Sequence, residues 1–514
     1  MYLCLILVLI VATISETVSA GNRINDIEWE ASITINAGTN TFAPYYISSL
    51  AHGKITASKG GIVDMWAKHA VDTAKRFSWG AGIEIYGGIA SKTAYLKYNS
   101  NGDAYFHTMR PASFRLQQLY AEIKYRSLFL EAGLRERGSA LLDNSLTSGD
   151  LVESGNATPI PQIRAGFIDF RDIPLTKGWL QIQGELGYGK FADNGWLKDF
   201  YSYETSHINL GAFYIYRRAY FRTKPSERFV VTFGLQSAGQ IGGTSEWYSR
   251  GKLVYSEHQG TTIWDLVKMI APFTTYGTGK GEYFDGNNLG SWDIMLRYNI
   301  PKTNHRITGY LQKPWEKGSS VGWGNGWDGL WGIEYEFGET PHIVDAVLFE
   351  YLYFMNHSGP IHFAPHDRPG TDITSDITGQ DNYYNNYAYN SYENYGVSMG
   401  TPFLKSPIYN TDGYPNFTDN RVKGFHIASR GHIDRLWQWK IALSYRKAYG
   451  SVILPRIEIV DDFSWLAEVD GSIKRLPDLH VKLQVAMDRG LLLGNNFGAL
   501  INISYRGGFS YRKK

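Results

Sequence analysis

The sequence predicts an all-β protein whose strands close into a transmembrane antiparallel barrel, and three observations carry that prediction. A period of two recurs from about residue 119 to the end, no helical pattern of comparable length interrupts it, and no run after residue 20 is apolar enough for a membrane helix. In the first alternating segment, Leu119, Ala121, Ile123 and Tyr125 are interleaved with Tyr120, Glu122 and Lys124. In the next, Leu180, Ile182, Leu186 and Tyr188 alternate with Gln181, Gln183 and Glu185. Near the end, Leu479, Val481, Leu483, Val485 and Met487 alternate with polar partners, and so do Phe497, Ala499, Ile501, Ile503 and Tyr505. Successive strand side chains point to opposite faces, so each segment has one greasy and one wet face. A sandwich turns its polar faces outward, whereas a barrel enclosing water turns them inward. Gln181, Gln183 and Glu185, like Asp293, Arg297 and Asn299 opposite Ile294, Leu296 and Tyr298, suit a hydrated lumen.

Composition agrees with a barrel without requiring one. A membrane helix needs roughly 18 apolar residues, but a membrane strand needs only about 9–11, half of which can be polar. The 36 Tyr, 15 Trp and 25 Phe suit the aromatic girdles of such a barrel, although aromatics also suit ordinary strands. A formal net charge of +2 gives no sign of nucleic-acid binding. Leu3 to Val11 is almost wholly apolar, and Val18-Ser19-Ala20 matches a secretory cleavage site. Residues 1–20 therefore read as a signal peptide, although Met1-Tyr2 lacks the usual basic residue. Cys4, the only cysteine, would leave with that leader, so the exported chain would hold no thiol and no disulfide.

Residues 21–514 show neither an internal repeat nor a linker and read as one barrel domain. Trp29 to Ile35 forms a plausible first strand. Residues 61–76 break the rhythm, and the spacing of Val63, Trp66, Ala70 and Ala74 predicts a short amphipathic helix. Tyr125-Arg126-Ser127-Leu128 reads as a tight hairpin, and Thr262–Ile270 as a second short helix. From about 354 to 425 the chain is rich in Asn, Tyr, Pro, Gly and Asp and reads as long loops. At roughly 25–30 residues per strand with its turn, the chain supplies about 16–18 strands.

A set of segments then occurs in a telling order. Phe42-Ala43-Pro44-Tyr45-Tyr46-Ile47 is followed by Leu116-to-Tyr120, Leu146-Thr147-Ser148-Gly149 and Ser154-to-Pro161. Gly178-Trp179-Leu180, Gly239-to-Gly243, Asp328-Gly329-Leu330, Glu350-Tyr351, Asp381-to-Asn385 and Asn420-Arg421-Val422 follow. Together they resemble the capsule-assembly Wzi family, particularly its Bacteroidota-type branch. The resemblance implies an outer-membrane barrel of about eighteen strands with a small periplasmic helical element. It also implies a lectin-like, non-enzymatic role: holding exported capsular polysaccharide at the cell surface, with outer-membrane lipid and polysaccharide-export machinery as partners. The basic end, Tyr511-Arg512-Lys513-Lys514, departs from the terminal aromatic of many outer-membrane barrels.

Sugar recognition needs aromatic faces for pyranose rings and polar groups for their hydroxyls. Asp381–Tyr395 offers both, with Tyr383, Tyr384, Tyr387, Tyr389 and Tyr392 among Asn385 and Asn386. Two readings stay open: an extracellular glycan surface, or a structural loop packed over or into the barrel. Trp323 and Trp327 mark a second candidate turn, followed by Trp331, Ile333, Tyr335 and Phe337 facing outward and Glu334 and Glu336 facing the lumen. Those two glutamates read as pore-lining charges paired with Arg or Lys, and Asp143, Asp461 and Asp462 as turn residues. His357, His362 and His366 with Asp367 match no metal-ligand spacing, and no glycine loop has a nucleotide-binding context, so neither metal nor cofactor is expected. The rival functions are a porin-like channel for small solutes or oligosaccharides, which should conduct ions, and a glycan hydrolase, which should depend on one carboxylate.

Overall fold

The computed structural model describes residues 27–509 except 112, 271–285, 317, 339–340, 358–361, 364–376 and 379–380. The expected leader at 1–20 and the basic end at 511–514 lie outside the described residues. Alternating segments pair into staves because lipid offers backbone N–H and C=O groups no partner, so every strand must bond to two neighbours. Eighteen antiparallel staves result. They are β1 (Ile27–Gly38), β2 (Gly60–His69), β3 (Phe77–Ala90), β4 (Phe114–Tyr125), β5 (Leu128–Leu134) and β6 (Gln162–Phe167, continued by Arg171–Asp172). Next come β7 (Leu180–Lys190), β8 (Phe213–Thr223), β9 (Phe229–Ile241), β10 (Asn287–Asn299), β11 (His305–Trp315) and β12 (Gly329–Phe337). β13 (Ala346–Phe354), β14 (Val422–His432), β15 (Trp437–Gly450), β16 (Pro455–Ile473), β17 (Leu476–Gly490) and β18 (Asn496–Phe509) complete the wall. β18 pairs with β1 in a register that sets Ile503 opposite Ile33, and the barrel is closed.

The two ends of the barrel differ. At one end, where β1 begins and β18 finishes, the connections are short: 126–127, 224–228, 300–304, 433–436 and 474–475. At the other lie 39–59, 91–113, 135–161, 191–212, 242–286, 316–328 and 355–421. Short turns on one side and long loops on the other are the asymmetry of outer-membrane barrels. The described helices (Tyr45–Ser48, Asn194–Phe200, Ile263–Lys268 and Gly318–Val321) all lie in the long connections. The helical element is small, as expected, but its described pieces are at the end opposite the one the resemblance implied.

The alternation sorts side chains as the pattern requires. Leu119, Ile123 and Tyr125 on β4, Leu483 on β17 and Ile503 on β18 are about half exposed on the outside of the wall. Their polar neighbours turn inward, where Glu185 meets Arg164 at 2.9 Å and Arg218 at 2.8 Å. Arg306 pairs with the lumen-facing Glu336. Tyr125-Arg126-Ser127-Leu128 forms the expected two-residue hairpin, with Arg126 at φ 56. The helix at Ile263–Lys268 also forms, fixed by a capping box between Thr262 and Asp265.

Two expectations are corrected. Residues 61–76 hold no helix. Gly60–His69 is β2, paired with β1 and β3 along its length. The cause is Trp66, which faces the lumen beside Asp64 and Lys68 and so breaks the apolar-out pattern that would have identified a strand. Asp461 and Asp462 are not turn residues but lie within β16, where Asp462 is fully buried and accepts the Leu493 N–H at 3.2 Å.

Leu483 sits midway along β17 on the lipid side, so Leu483→Arg should cost about 2–4 kcal/mol when the barrel is refolded into vesicles, read by denaturant titration. A change below about 0.5 kcal/mol would show that this face does not meet lipid.

Candidate functional site

Described parts of the connections 39–59, 135–161 and 355–421 fold back into the outer half of the lumen and fill it. Asp150, in the connection 135–161, is the centre of this plug. Its carboxylate accepts Gln236 Nε2 from β9 at 2.9 and 3.0 Å, Gln312 Nε2 from β11 at 2.8 Å, Ser139 Oγ at 2.6 Å and the Val152 N–H at 2.8 Å. Glu350 on β13 accepts Thr147 Oγ1 at 2.6 Å and the Ser148 N–H at 2.7 Å. His426 on β14 bonds the Leu146 carbonyl at 2.8 Å, and the Arg446 guanidinium on β15 lies 3.9 Å from the Tyr45 ring centre. Wall polar groups thus find partners on the plug instead of water. Beneath the plug, toward the short-turn end, remains a chamber of about 990 Å³. Its charges are largely matched, with Lys54 at 2.9 Å from Asp64 and Lys482 at 3.4 Å from Asp470.

The Tyr- and Asn-rich segment divides between this plug and the surface. Tyr383, Tyr384, Tyr389 and Tyr392 are buried. Tyr384 donates to the Leu151 carbonyl at 2.6 Å and Tyr392 to the Val152 carbonyl at 2.7 Å. Tyr383 stacks on His357 at 4.1 Å and donates to Asp328 at 3.1 Å. Asn385 donates to the Phe417 carbonyl at 2.9 Å, and Asn386 to Asn287 on β10 at 2.8 Å. Enclosed rings present no face to a ligand, so these four tyrosines shape the loop, while Asn385 and Asn386 are half-buried. Tyr387 differs, being 66% exposed at the loop tip. Trp323 and Trp327 are exposed as well, and Trp327 packs 5.7 Å from Trp331, extending the aromatic band at the rim.

Tyr387 lies beside a feature that the sequence did not reveal. Thr205–Leu210, Gly243–Ser249 and Lys252–Gln259 form a small three-stranded sheet among the long connections. It packs on the loop tip, with Asn390 and Asn209 exchanging bonds of 2.7 Å and Ser245 Oγ donating to the Ala388 carbonyl at 2.9 Å. Register places His207, Trp247 and Tyr255 side by side across the three strands. Their ring centres are 5.1 Å apart at 25° and 5.3 Å apart at 51°. Trp247, Tyr255 and Tyr387, with Glu257 and Gln259, line an open groove of about 570 Å³. Trp323 and Trp327 do not line it. Burial holds the His207 imidazole below its usual pKa, so the aromatic row is neutral near pH 7. A neutral aromatic strip bordered by carboxylate and amide oxygens is the chemistry a sugar ring requires.

Among the described residues no group of three His, Cys, Asp or Glu could hold a metal ion. His357 is buried and its Nε2 bonds the Asn420 carbonyl at 3.1 Å; His366, Asp367 and the His362 side chain lie outside the described residues.

No known family profile matches the sequence, and no curated protein matches it. The fold is similar to that of Wzi, described as an outer-membrane protein involved in group 1 capsule assembly in Escherichia coli and a carbohydrate-binding β-barrel. That likeness has a TM-score of 0.53 at 11% identity and covers 95% of this chain and 85% of the other. Pseudomonas aeruginosa OccK5 (OpdH) aligns with a TM-score of 0.44 at 9% identity over 93% of this chain and 97% of its own. Acinetobacter baumannii OccAB2 aligns at 0.46 and 10% identity over 95% and 99%. The likeness to Wzi is one of fold, and this chain's own fold is a closed outer-membrane barrel of eighteen antiparallel strands.

Two outcomes test this geometry. Asp150→Ala leaves Gln236, Gln312 and Ser139 without their acceptor, weakening plug docking by roughly 2–4 kcal/mol. The wild-type barrel should show little single-channel conductance and the variant clearly more; equal conductance would separate the plug from the closed state. The second concerns pH. Burial raises Asp193 to about 6 and, with repulsion from Asp193, holds Glu393 well above its usual value, while burial lowers His357 to about 3. The raised Asp193 carboxyl stabilises the fold below the ordinary carboxylate range and loses that contribution as pH rises through about 6, and Glu393, also raised, loses its own contribution as pH rises. The depressed histidine stabilises above about 6.5 and loses its contribution as pH falls. Hydrogen exchange should therefore quicken around 393–396 at pH 8 and around 355–357 at pH 5, and a uniform response would contradict the assignment.

Proposed function

We propose that this protein is a non-enzymatic outer-membrane barrel that binds exported capsular or surface polysaccharide at its outer face and helps assemble the capsule there. The observation that carries the proposal is the groove of Trp247, Tyr255 and Tyr387, open at the long-loop end of a barrel whose lumen is plugged. Long loops face outward in barrels of this kind, so the groove meets material outside the cell. The fold shared with Wzi supports a carbohydrate ligand. Export across the inner membrane by a signal peptide at residues 1–20 is part of this reading, and polysaccharide-export machinery is a natural partner at the moment of delivery. The porin alternative shares the wall, but Asp150 and its neighbours fill the path that a solute would take.

The test is calorimetric titration of the refolded, detergent-solubilised protein with the producing organism's purified capsular polysaccharide, against an unrelated polysaccharide. Selective, saturable binding with unchanged polymer length is expected. Trp247→Ala and Tyr255→Ala should each weaken it by roughly 0.5–1.5 kcal/mol, about 2- to 10-fold. Tyr387→Ala should act in the same direction. Binding that survives all three substitutions would move the site elsewhere, and absence of binding by the wild type would remove the lectin role.

A further inference from the structure

The wall of β7–β10 departs from the barrel's own rule near the outer rim. Arg217 on β8, Ser237 on β9 and Asn288 on β10 all point outward, toward lipid, as their inward neighbours Tyr216, Gln236 and Asn287 establish. Yet all three are buried. Arg217 donates to Ser237 at 2.8 Å and to Asn288 at 2.8 Å. An arginine on the lipid face near mid-bilayer costs about 2–4 kcal/mol, and less toward the interface. Here it is covered by protein.

The cover is the helix Ile263–Lys268, which leaves the small sheet at Gln259 and returns over the outside of the wall. Met269 packs with Ile215 and Ile241, both outward residues, and the Leu266 carbonyl accepts the Tyr188 hydroxyl at 2.9 Å. Gly239 permits the approach, because a Cβ there would lie 2.7 Å from Met269 Cε. The helix therefore seats its Leu266–Met269 side on the barrel. Its other side presents Ile263 and Trp264, 72% and 70% exposed, with Val267 and Ile270 one turn further. That spacing is a helical stripe, and the stripe continues the lipid-facing surface of the wall it covers.

We propose that this helix is seated in the membrane, with Ile263, Trp264, Val267 and Ile270 immersed in outer-leaflet lipid at the boundary between headgroups and acyl chains. The helix replaces a polar patch of wall with an apolar one. Trp264 suits that depth because its ring is amphipathic, and Lys268, whose side chain is 56% exposed and lies 3.9 Å from Asp265, stands one turn on at the level of headgroup phosphates. The helix thus clamps residues 242–270 against the barrel from outside, which fixes the small sheet that carries Trp247 and Tyr255. The proposal rests on the barrel fold and is independent of which ligand the groove takes.

Spin labels at Ile263→Cys and Val267→Cys, in a Cys4→Ser background and in phosphatidylcholine vesicles, test it. Their collision rates with oxygen and with a water-soluble nickel chelate are compared with those at Leu296→Cys, on the outer wall, and Tyr387→Cys, at the loop tip. Labels at 263 and 267 should follow 296 in favouring oxygen. Labels that follow 387, or that broaden through contact with a second copy, overturn the proposal. A check without labels is quenching by lipid with brominated chains. It should remove more fluorescence from the wild type than from Trp264→Phe, and equal quenching would count against lipid contact.

Discussion

The structure depends on one constraint: a strand in lipid must find hydrogen-bond partners on both sides. Closure of β18 onto β1 satisfies it for the wall and leaves no edge. Closure also brings both ends of the barrel domain to the short-turn side, so the long connections gather at the opposite rim. The same constraint then applies to the inside. A ring of eighteen staves encloses more room than its own inward side chains fill, and groups such as Gln236, Gln312, Glu350 and Arg446 would otherwise depend on water. The plug supplies their partners from backbone and side chain, with Asp150 receiving bonds from two strands at once. A stable plug is therefore a consequence of the polar lumen rather than an addition to it.

What the sequence discloses follows from where each side chain ends up. Strands with lipid outside and polar lumen inside, such as β4, β17 and β18, carry the clearest alternation and were legible. β2 was not, because Trp66 faces the lumen and Asp64 and Lys68 share that face, so apolar and polar residues occupy one side. Asp461 and Asp462 looked like a turn for a similar reason. One of the pair must face outward at the rim, where Asp461 accepts the Tyr445 hydroxyl at 2.9 Å, while Asp462 is buried inside.

The candidate site was half legible. The composition of Asp381–Tyr395 pointed to a loop whose Tyr387 and Ala388 border the groove, but composition does not say which rings are enclosed. Tyr383, Tyr384 and Tyr392 became plug residues because the plug carbonyls and Asp328 accept their hydroxyls. Tyr387, at the tip, is 66% exposed. Trp247 and Tyr255 lie far from that loop in the chain and meet it through the sheet that packs on Ala388 and Asn390. The available signal was local: Trp247 and Tyr255 flank Arg250-Gly251, a turn pair with positive φ at both residues, and a hairpin there sets the two rings opposite each other. Without the turn assignment they are two unrelated aromatics.

Failures of the alternation are informative in their own right. An outward-facing polar residue in a membrane wall must either meet water at the rim or be covered. Arg217, Ser237 and Asn288 bond one another and sit beneath an external helix, so the local violation marks a contact rather than a weakness in the wall. The same logic applies inside, where the apolar Leu146, Leu151 and Val152 would be out of place in a water-filled pore and instead form the core of the plug. Polarity on the lipid side and greasiness on the lumen side are thus the two signatures by which a barrel records what its long loops cover.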